Sequence, residues 1–410
     1  MCKRKKGPQY QISPKQQTLT QVYDKATKFK IDDKRQTKIT HLVAKMVCVD
    51  GQPLNLVENR GFKELIEHLE PRFTMPTRKT LSNVIVPAMY ESTVKSVEVQ
   101  LQDAEFVAVT TDLWTSVANT DFLSVTAHYV TKEFVLHHVC LEVIPFPEVS
   151  HTAENISKFI TSLLEKWGLL QKVVAIVRDN ARNLVAGLEL SPFQHTSCLA
   201  HTLQLVLKEG FLNNKIINNL VSSSKKIVGH FKHSARATKV LKTCQITAGV
   251  VQHRLIHDEP TRWNTTLHMF KRLHEQKKAI VLACAELNIP ELSNSLWTLM
   301  ENVIPILEVF DSVTTHISSD HVTVAEVIPL TNLIENELQK PAPAGSGLQG
   351  LKNDLLSSIK IRFKDLENSQ ILTSATLLDP RFKAAPFKDE AKCEAAKKKT
   401  VGGSIRSTNS

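Results

Sequence analysis

The sequence predicts a multi-domain α/β protein: a mixed sheet with three antiparallel strands, a helical crossover and parallel strands, together with a helical N-terminal unit and a large all-helical insertion. Three observations carry this. Between residues 105 and 180, short β-branched apolar runs alternate with turn signals. One clean helical stripe, Ile156, Phe159, Ile160, Leu163, Leu164 and Trp167, interrupts those runs. Before and after this region the apolar residues recur at helical spacing only.

Composition bounds the function. A chain of 410 residues with 42% apolar content can build two or three cores. Lys and Arg number 51 against 41 Asp and Glu, and the formal charge of +10 favours polyanionic partners. Seven cysteines, an odd number without a C-x-x-C pair, argue for free thiols in a reducing compartment and against a secreted disulfide framework. No run reaches the length of a membrane span. Met1 to Lys6, M-C-K-R-K-K, reads as a basic tail suited to nuclear import or phosphate contact, and residues 1–15 are expected to be disordered.

Residues 16–101 form the expected helical unit. Ile39, Leu42, Val43, Met46 and Val47 mark one buried helix face that Asp50-Gly51 ends, and Phe62, Leu65, Ile66 and Leu69 mark a second that Pro71 stops. Three or four short helices are expected in all: one runs to about Leu101, and before it a further helix starts at T-R-K-T after Pro76. Arg78 and Lys79 at its start are candidate nucleic-acid contacts, although ordinary helical bundles carry such charges too.

Residues 102–210 form the expected sheet domain. Phe106 to Thr111 is strand-like, which puts Asp112 at a strand's C-terminal end. Phe122 to Thr131, a tight turn at Lys132-Glu133 and Phe134 to Ile144 complete an antiparallel meander closed by Pro145 and Pro147. His151 to Trp167 is a helix stopped by Gly168, and the unbroken apolar run after Lys172 is a buried strand ending at Asp179-Asn180. A helical crossover returns the fourth strand parallel to the first, so Asp112 and Asp179 are expected at neighbouring strand ends on one sheet edge. Two carboxylates there suit Mg²⁺ and in-line phosphoryl transfer, as in ribonuclease-H-like nucleases.

Five motifs in order make the resemblance specific: T-T-D-L-W-T-S at 110–116, V-R-D-N-A-R-N at 177–183, S-C-L-A-H-T-L-Q-L at 197–205, P-T-R-W-N-T-T at 260–266 and L-L-D-P-R-F-K at 377–383. The series resembles that of hAT-type transposases, and more closely that of the transposase-derived zinc finger BED domain-containing proteins. The resemblance implies an RNase-H-like core, a helical insertion after its fifth strand and an ancestry in DNA cutting and joining. It matches Asp112 and Asp179 to the first two acids of a catalytic triad and Cys198 and His201 to a C-x-x-H element near the DNA backbone. It also implies that Trp263, preceded by Arg262, stacks on a base. The competing reading of Trp263 is a ring that packs a helix start.

Departures from the family pattern carry equal weight. The third acid of family transposases lies in a segment resembling S-E-R-x-F-S, which also serves dimerisation, and no such segment occurs here. Glu326, Glu335 and Glu337 are the substitutes considered. Residues 211–385 are read as the helical insertion and its return toward the core, with a flexible loop at Pro341 to Gly350 and a last helix from Leu351 to Leu366. Residues 386–410 are read as a disordered tail. The first hundred residues lack the Cys and His pairs of a BED finger, which suggests a shortened member of the family or part of a longer protein. His195, Cys198 and His201, spaced by three, would share one side of a continuous helix, but no fourth zinc ligand is evident and no zinc is expected. Nothing in the sequence shows how a Cys198 thiol would be activated. The expected function is therefore that of a nuclear, DNA-associated or transcription-regulating protein without transposition activity. The alternatives are a metal-dependent DNA strand-transferase, and a protein-interaction scaffold or SUMO-ligase-like protein that does not touch DNA.

Overall fold

The computed structural model describes residues 27–146, 151–259, 263–342 and 347–403. The chain divides into two compact units, Met1–Asp103 and Ala104–Ser410.

Among its described residues the first unit has the longer helices α1 (Lys34–Val49), α2 (Arg60–Leu69) and α3 (Val86–Asp103), with short helical turns at Leu54–Glu58 and Arg78–Thr80. Asp33 caps α1, its Oδ1 accepting the Arg35 N–H at 2.7 Å, and the buried Gln36 side chain donates to Thr74 O at 2.7 Å while accepting Thr74 N–H at 3.0 Å. The core is Val43, Ala44, Val47, Val57 and Leu81. Both predicted stripes are only partly buried. Leu42 is 51% exposed, and on α2 Leu65 and Leu69 lie open while Phe62 and Ile66 are half-buried. A unit this small has too few partners to cover a stripe's full width. A π-helical turn, Leu81–Ile85, leads into α3. Its cause is local: Pro87, the second residue of α3, has no N–H to give to the carbonyl four residues back.

The second unit is built on a five-stranded sheet of order β3-β2-β1-β4-β5, with β1 (Val107–Thr115), β2 (Asp121–Val130), β3 (Leu136–Pro145), β4 (Val173–Arg178) and β5 (His195–Ser197). The first three are antiparallel neighbours, and β1, β4 and β5 run parallel. Helix α4 (Ala153–Lys166) is the predicted crossover, and α5 (Arg182–Glu189) joins β4 to β5. Apolar alternation fixes the faces, since Val107, Val109, Leu123, Val125 and Ala127 are all inside. A buried carboxylate locks α4 to the sheet. Glu142 on β3 receives the Trp167 indole N–H at 3.1 Å and pairs with Lys166. Close approach of α5 to α4 is permitted by Gly187, where an added Cβ would lie 2.7 Å from Ile156 Cγ2.

Two strand boundaries differ from the sequence reading. The first strand does not stop before Asp112 but runs on to Thr115, because Leu113 to Thr115 remain paired with β2 and Trp114 stacks on Phe122 at 5.8 Å. The third does not begin at Phe134. That residue sits at φ 60° in the turn closed by the Thr131 N–H to Val135 O bond of 3.0 Å, which leaves its ring exposed.

The remainder is helical: α6 (Leu199–Leu207), α7 (Lys215–His233), α8 (Ala235–Thr247), α9 (Asn264–Glu275), α10 (Lys277–Leu287), α11 (Asn294–Ile317), α12 (Val327–Gln339), α13 (Leu348–Arg362), α14 (Gln370–Leu378) and α15 (Glu390–Gly403). One apolar core runs from Leu199 on α6 to Leu372 on α14, with Trp297 among its largest fully buried side chains. The π-helical turn Lys208–Leu212 continues α6, and its Gly210 lies directly against the backbone of Leu355 on α13. Helix α13 begins at Leu348, earlier than the predicted Leu351, and is not the last. The stretch read as a disordered tail carries α15 through Gly403. Its Ala, Lys and Glu content has high helix propensity, Cys393 and Ala396 are buried, and Thr400 shares a hydroxyl hydrogen bond of 2.9 Å with Ser374 on α14.

Candidate active site

Strand register assembles the site. Thr111 on β1 pairs with Arg178 on β4, and Arg178 pairs with Ser197 on β5. The next residue on each chain is Asp112, Asp179 and Cys198, so three candidates from separate motifs fall in one row where the parallel pairing ends. Cys198 N–H donates to Arg178 O at 2.6 Å, which fixes the third member of the row. This is the carboxyl edge of the parallel strands, where open α/β sheets hold ligands. His201 lies one turn into α6, exposed.

Each side chain has a traceable environment. Asp112 and Asp179 are partly exposed, and Asp179 Oδ1 accepts the Ala181 N–H at 2.9 Å. Burial pushes the Cys198 thiol up, but the His201 ring and the N–H groups of His201 and Ala200 outweigh it, and the net shift is downward. In return the Cys198 side chain holds the His201 imidazolium above its ordinary range against partial desolvation, with further support from Asp112 and Asp179. Both acids therefore act electrostatically on one histidine. The downward shift of Cys198 needs the helix start and the His201 ring brought together, which no local sequence pattern shows.

Arg178 is the residue that sequence reasoning passed over. Buried, it donates through Nη1 to Asp179 O at 2.8 Å, Ser197 Oγ at 3.2 Å and Asn180 Oδ1 at 3.4 Å, and through Nε to His195 Nδ1 at 3.3 Å. It clamps the loop bearing Asp179 to β5. Asn180 Nδ2 adds a bond of 2.9 Å to Thr202 on α6. The only sequence signal was the V-R-D-N segment that carries both residues.

The other candidates are placed elsewhere. His195 is on β5 and Cys198 precedes α6, so the shared helix face proposed for His195, Cys198 and His201 does not exist. Among the described residues no group of three His, Cys, Asp or Glu is arranged to hold a metal. Two hard carboxylates do suit Mg²⁺, which takes one or two from a protein and keeps water on its other positions. Trp263, half-buried before α9, packs edge-on against Phe310 at 6.4 Å. Arg262 lies outside the described residues. Arg78 and Lys79 are exposed in the first compact unit. Glu326 is buried between His316 and Arg381, Glu335 pairs with Lys388, and Glu337 pairs with Lys340 at 2.6 Å.

An RNase H-like sheet with two acids on its parallel edge and a helical domain attached after the fifth strand defines a transposase-type core. Comparison with known proteins agrees. Residues 110–191 match the family model of the ZBED1 RNase-like domain, and residues 196–306 match that of the ZBED1 RNase-like helical domain. The human zinc finger BED domain-containing protein 4 is 30% identical over 369 residues, covering 86% of this chain and 31% of that protein. The human zinc finger BED domain-containing protein 6 is 26% identical over 367 residues, 84% of this chain and 37% of that protein. The Zea mays protein named Putative AC transposase is 27% identical over 272 residues, 62% of this chain and 32% of its own length. The chain thus spans about a third of the length of these relatives. It belongs to the hAT-transposase-related family that includes the zinc finger BED domain-containing proteins.

Proposed function

We propose that this chain is a nuclear, DNA-associated protein that acts by occupying DNA and thereby regulating transcription, without cutting or joining strands. The observation that carries the proposal is the commitment of the substitute acids. Glu326, Glu335 and Glu337 each spend their carboxylate on a local cation, which leaves Asp112 and Asp179 without a third acid from that set. Phosphoryl transfer depends on acids acting as one unit, so loss of one costs nearly as much as loss of all. Asp112 and Asp179 would hold Mg²⁺, which when bound neutralises charge on phosphoryl oxygens; Arg178 keeps the Asp179 loop in place, and His201, its pKa raised by Cys198 and by both acids, stands beside them. In this reading the edge is a phosphate-contact surface. Arg78 and Lys79 are separate candidate nucleic-acid contacts on the first unit.

A strand-transferase is the second reading, favoured by the intact row of Asp112 and Asp179. A nicking assay on supercoiled DNA and terminal-repeat oligonucleotides with Mg²⁺ or Mn²⁺ separates the two. Equal silence from the chain and its Asp112→Ala form is the expected result. Cleavage that disappears in Asp112→Ala would overturn the proposal, and absence of any salt-dependent DNA binding would favour a scaffold instead.

A further inference from the structure

The positive charge of this protein is concentrated. Between Glu209 and Asp258 there are eight Lys or Arg and no Asp or Glu, against a formal charge of +10 for the whole chain. This stretch makes α7, α8 and the irregular segment 250–258 that follows. It also walls a cavity of about 350 Å³, the size of small-ligand sites. Phe231 and Leu241, both buried, and Leu255 give the cavity an apolar lining, and Lys232, Lys242 and Arg254 stand exposed around it. Among the described residues none of those three side chains has an ion-pair partner.

The cavity wall is built rather than incidental. Two fully buried glutamines and an arginine pin successive carbonyls of the irregular segment: Gln276 Nε2 donates to Val251 O at 2.9 Å, Gln245 Nε2 to His253 O at 2.8 Å, and Arg272 Nη1 to Arg254 O at 2.6 Å. Gln245 Nε2 also donates to Gln276 Oε1 at 2.8 Å, which fixes the amide's orientation and turns Gln245 Oε1 away from these acceptors. Gln245 lines the cavity. The Glu275 carboxylate, which meets His253 of the irregular segment, is taken up by His253 and Arg272. A rigid apolar slot with a buried amide and a rim of unpaired cations suits a ligand with a flat apolar body and an attached phosphate.

We propose that this cavity is a binding site for one nucleotide of single-stranded DNA, its phosphate on Lys232, Lys242 and Arg254 and its base on Phe231 and Leu241 with Gln245 as a hydrogen-bonding partner. The site rests on the DNA-associated reading above but is distinct from the acid row. The same polyanion chemistry would attract an acidic peptide, and the presence of a cavity with a polar partner favours the nucleotide.

The test uses the full chain and a fluorescein-labelled 20-nucleotide single strand, with an abasic strand of equal length and charge and with polyglutamate as competitor. The Lys232→Ala/Lys242→Ala/Arg254→Ala variant alters exposed side chains only, and circular dichroism checks its fold. We expect it to bind at least about ten-fold more weakly in 0.1 M salt, with the slope of log K against log salt reduced by about 0.7, the value for one phosphate contact on a single strand. The abasic strand should bind the unmodified chain at least about five-fold more weakly than the normal strand. Unchanged affinity in the variant, or equal binding of the abasic strand, overturns the cavity while DNA association stands. Equal competition by polyglutamate also overturns it. No binding of any DNA by the unmodified chain overturns both the cavity and the proposed function.

Discussion

Replacing Gly210 and Gly229 by Ala should move stability in opposite directions, although both glycines are helical. A Cβ at Gly210 would lie 2.9 Å from Leu355 Cα, 3.0 Å from its N and 3.1 Å from Asp354 C. Comfortable carbon contacts are about 3.5 to 4.0 Å, so α13 must retreat by roughly half an ångström. Backbone atoms cannot swing aside as a side chain can, and Leu355 is fully buried, so the shift enters the core. Overpacking of this kind costs about 1–3 kcal/mol, offset in part by up to about 1 kcal/mol of helix propensity. At Gly229, inside α7, an added Cβ meets nothing within 4 Å, so propensity acts alone and the change should stabilise by about 0.5–1 kcal/mol. Urea unfolding followed by circular dichroism, with the buried Trp297 as a fluorescence reporter, reads both signs. Because the Gly210 turn continues α6, Gly210→Ala should also shift the His201 ring signals in NMR spectra. An unfolding midpoint for Gly210→Ala at or above that of the parent chain would refute the close-packing argument.

Further outcomes follow from the site and the sheet. His201 should titrate above its ordinary value of 6.5 in metal-free buffer, by NMR, and Asp112→Asn should lower that pKa, as should added Mg²⁺ if the acids hold it. Since the folded pKa lies above the unfolded one, the stability that His201 contributes is full below pH 6.5 and is lost as pH rises through the folded value; stability from this group that grew with pH would contradict the assignment. Cys198 should be alkylated by iodoacetamide ahead of Cys284, whose thiol is pushed up to about 11 by burial, Glu291 and Cys244; mass-spectrometric mapping that finds the reverse order would remove the Cys198 and His201 coupling. Glu142→Ala should destabilise by about 1–3 kcal/mol, because it leaves the Trp167 N–H inside the sheet contact while Lys166, 57% exposed, turns to water. A loss below a few tenths in the same urea assay would refute the clamp.

Much of this was legible in the sequence. The order of the first four strands and their crossover helix follows from apolar periodicity, which is local, whereas the short fifth strand, His195–Ser197, has no apolar pattern, and Asp112 and Asp179 share an edge because the fourth strand pairs beside the first. Local signals also misled at definite places. Asp112 reads as a strand end because Asp disfavours strands, yet pairing with β2 carries the strand past it. The Leu42, Leu65 and Leu69 positions fit helical stripes, but spacing says which residues can be buried and not whether a partner is there to bury them.

What the sequence determined by itself is what repeats within a few residues: helices, strands, turns and the family motifs. Tertiary structure decided what depends on residues distant in the chain. It set the row of Asp112, Asp179 and Cys198, the Arg178 clamp, the coupling of Cys198 to His201, the edge-on packing of Trp263 on Phe310, and the pairing of Gln245 with Gln276 behind the cationic cavity. Hydrogen bonds and charges act over a few ångströms in space, and only the fold converts separations of 31, 47 and 67 residues into such distances.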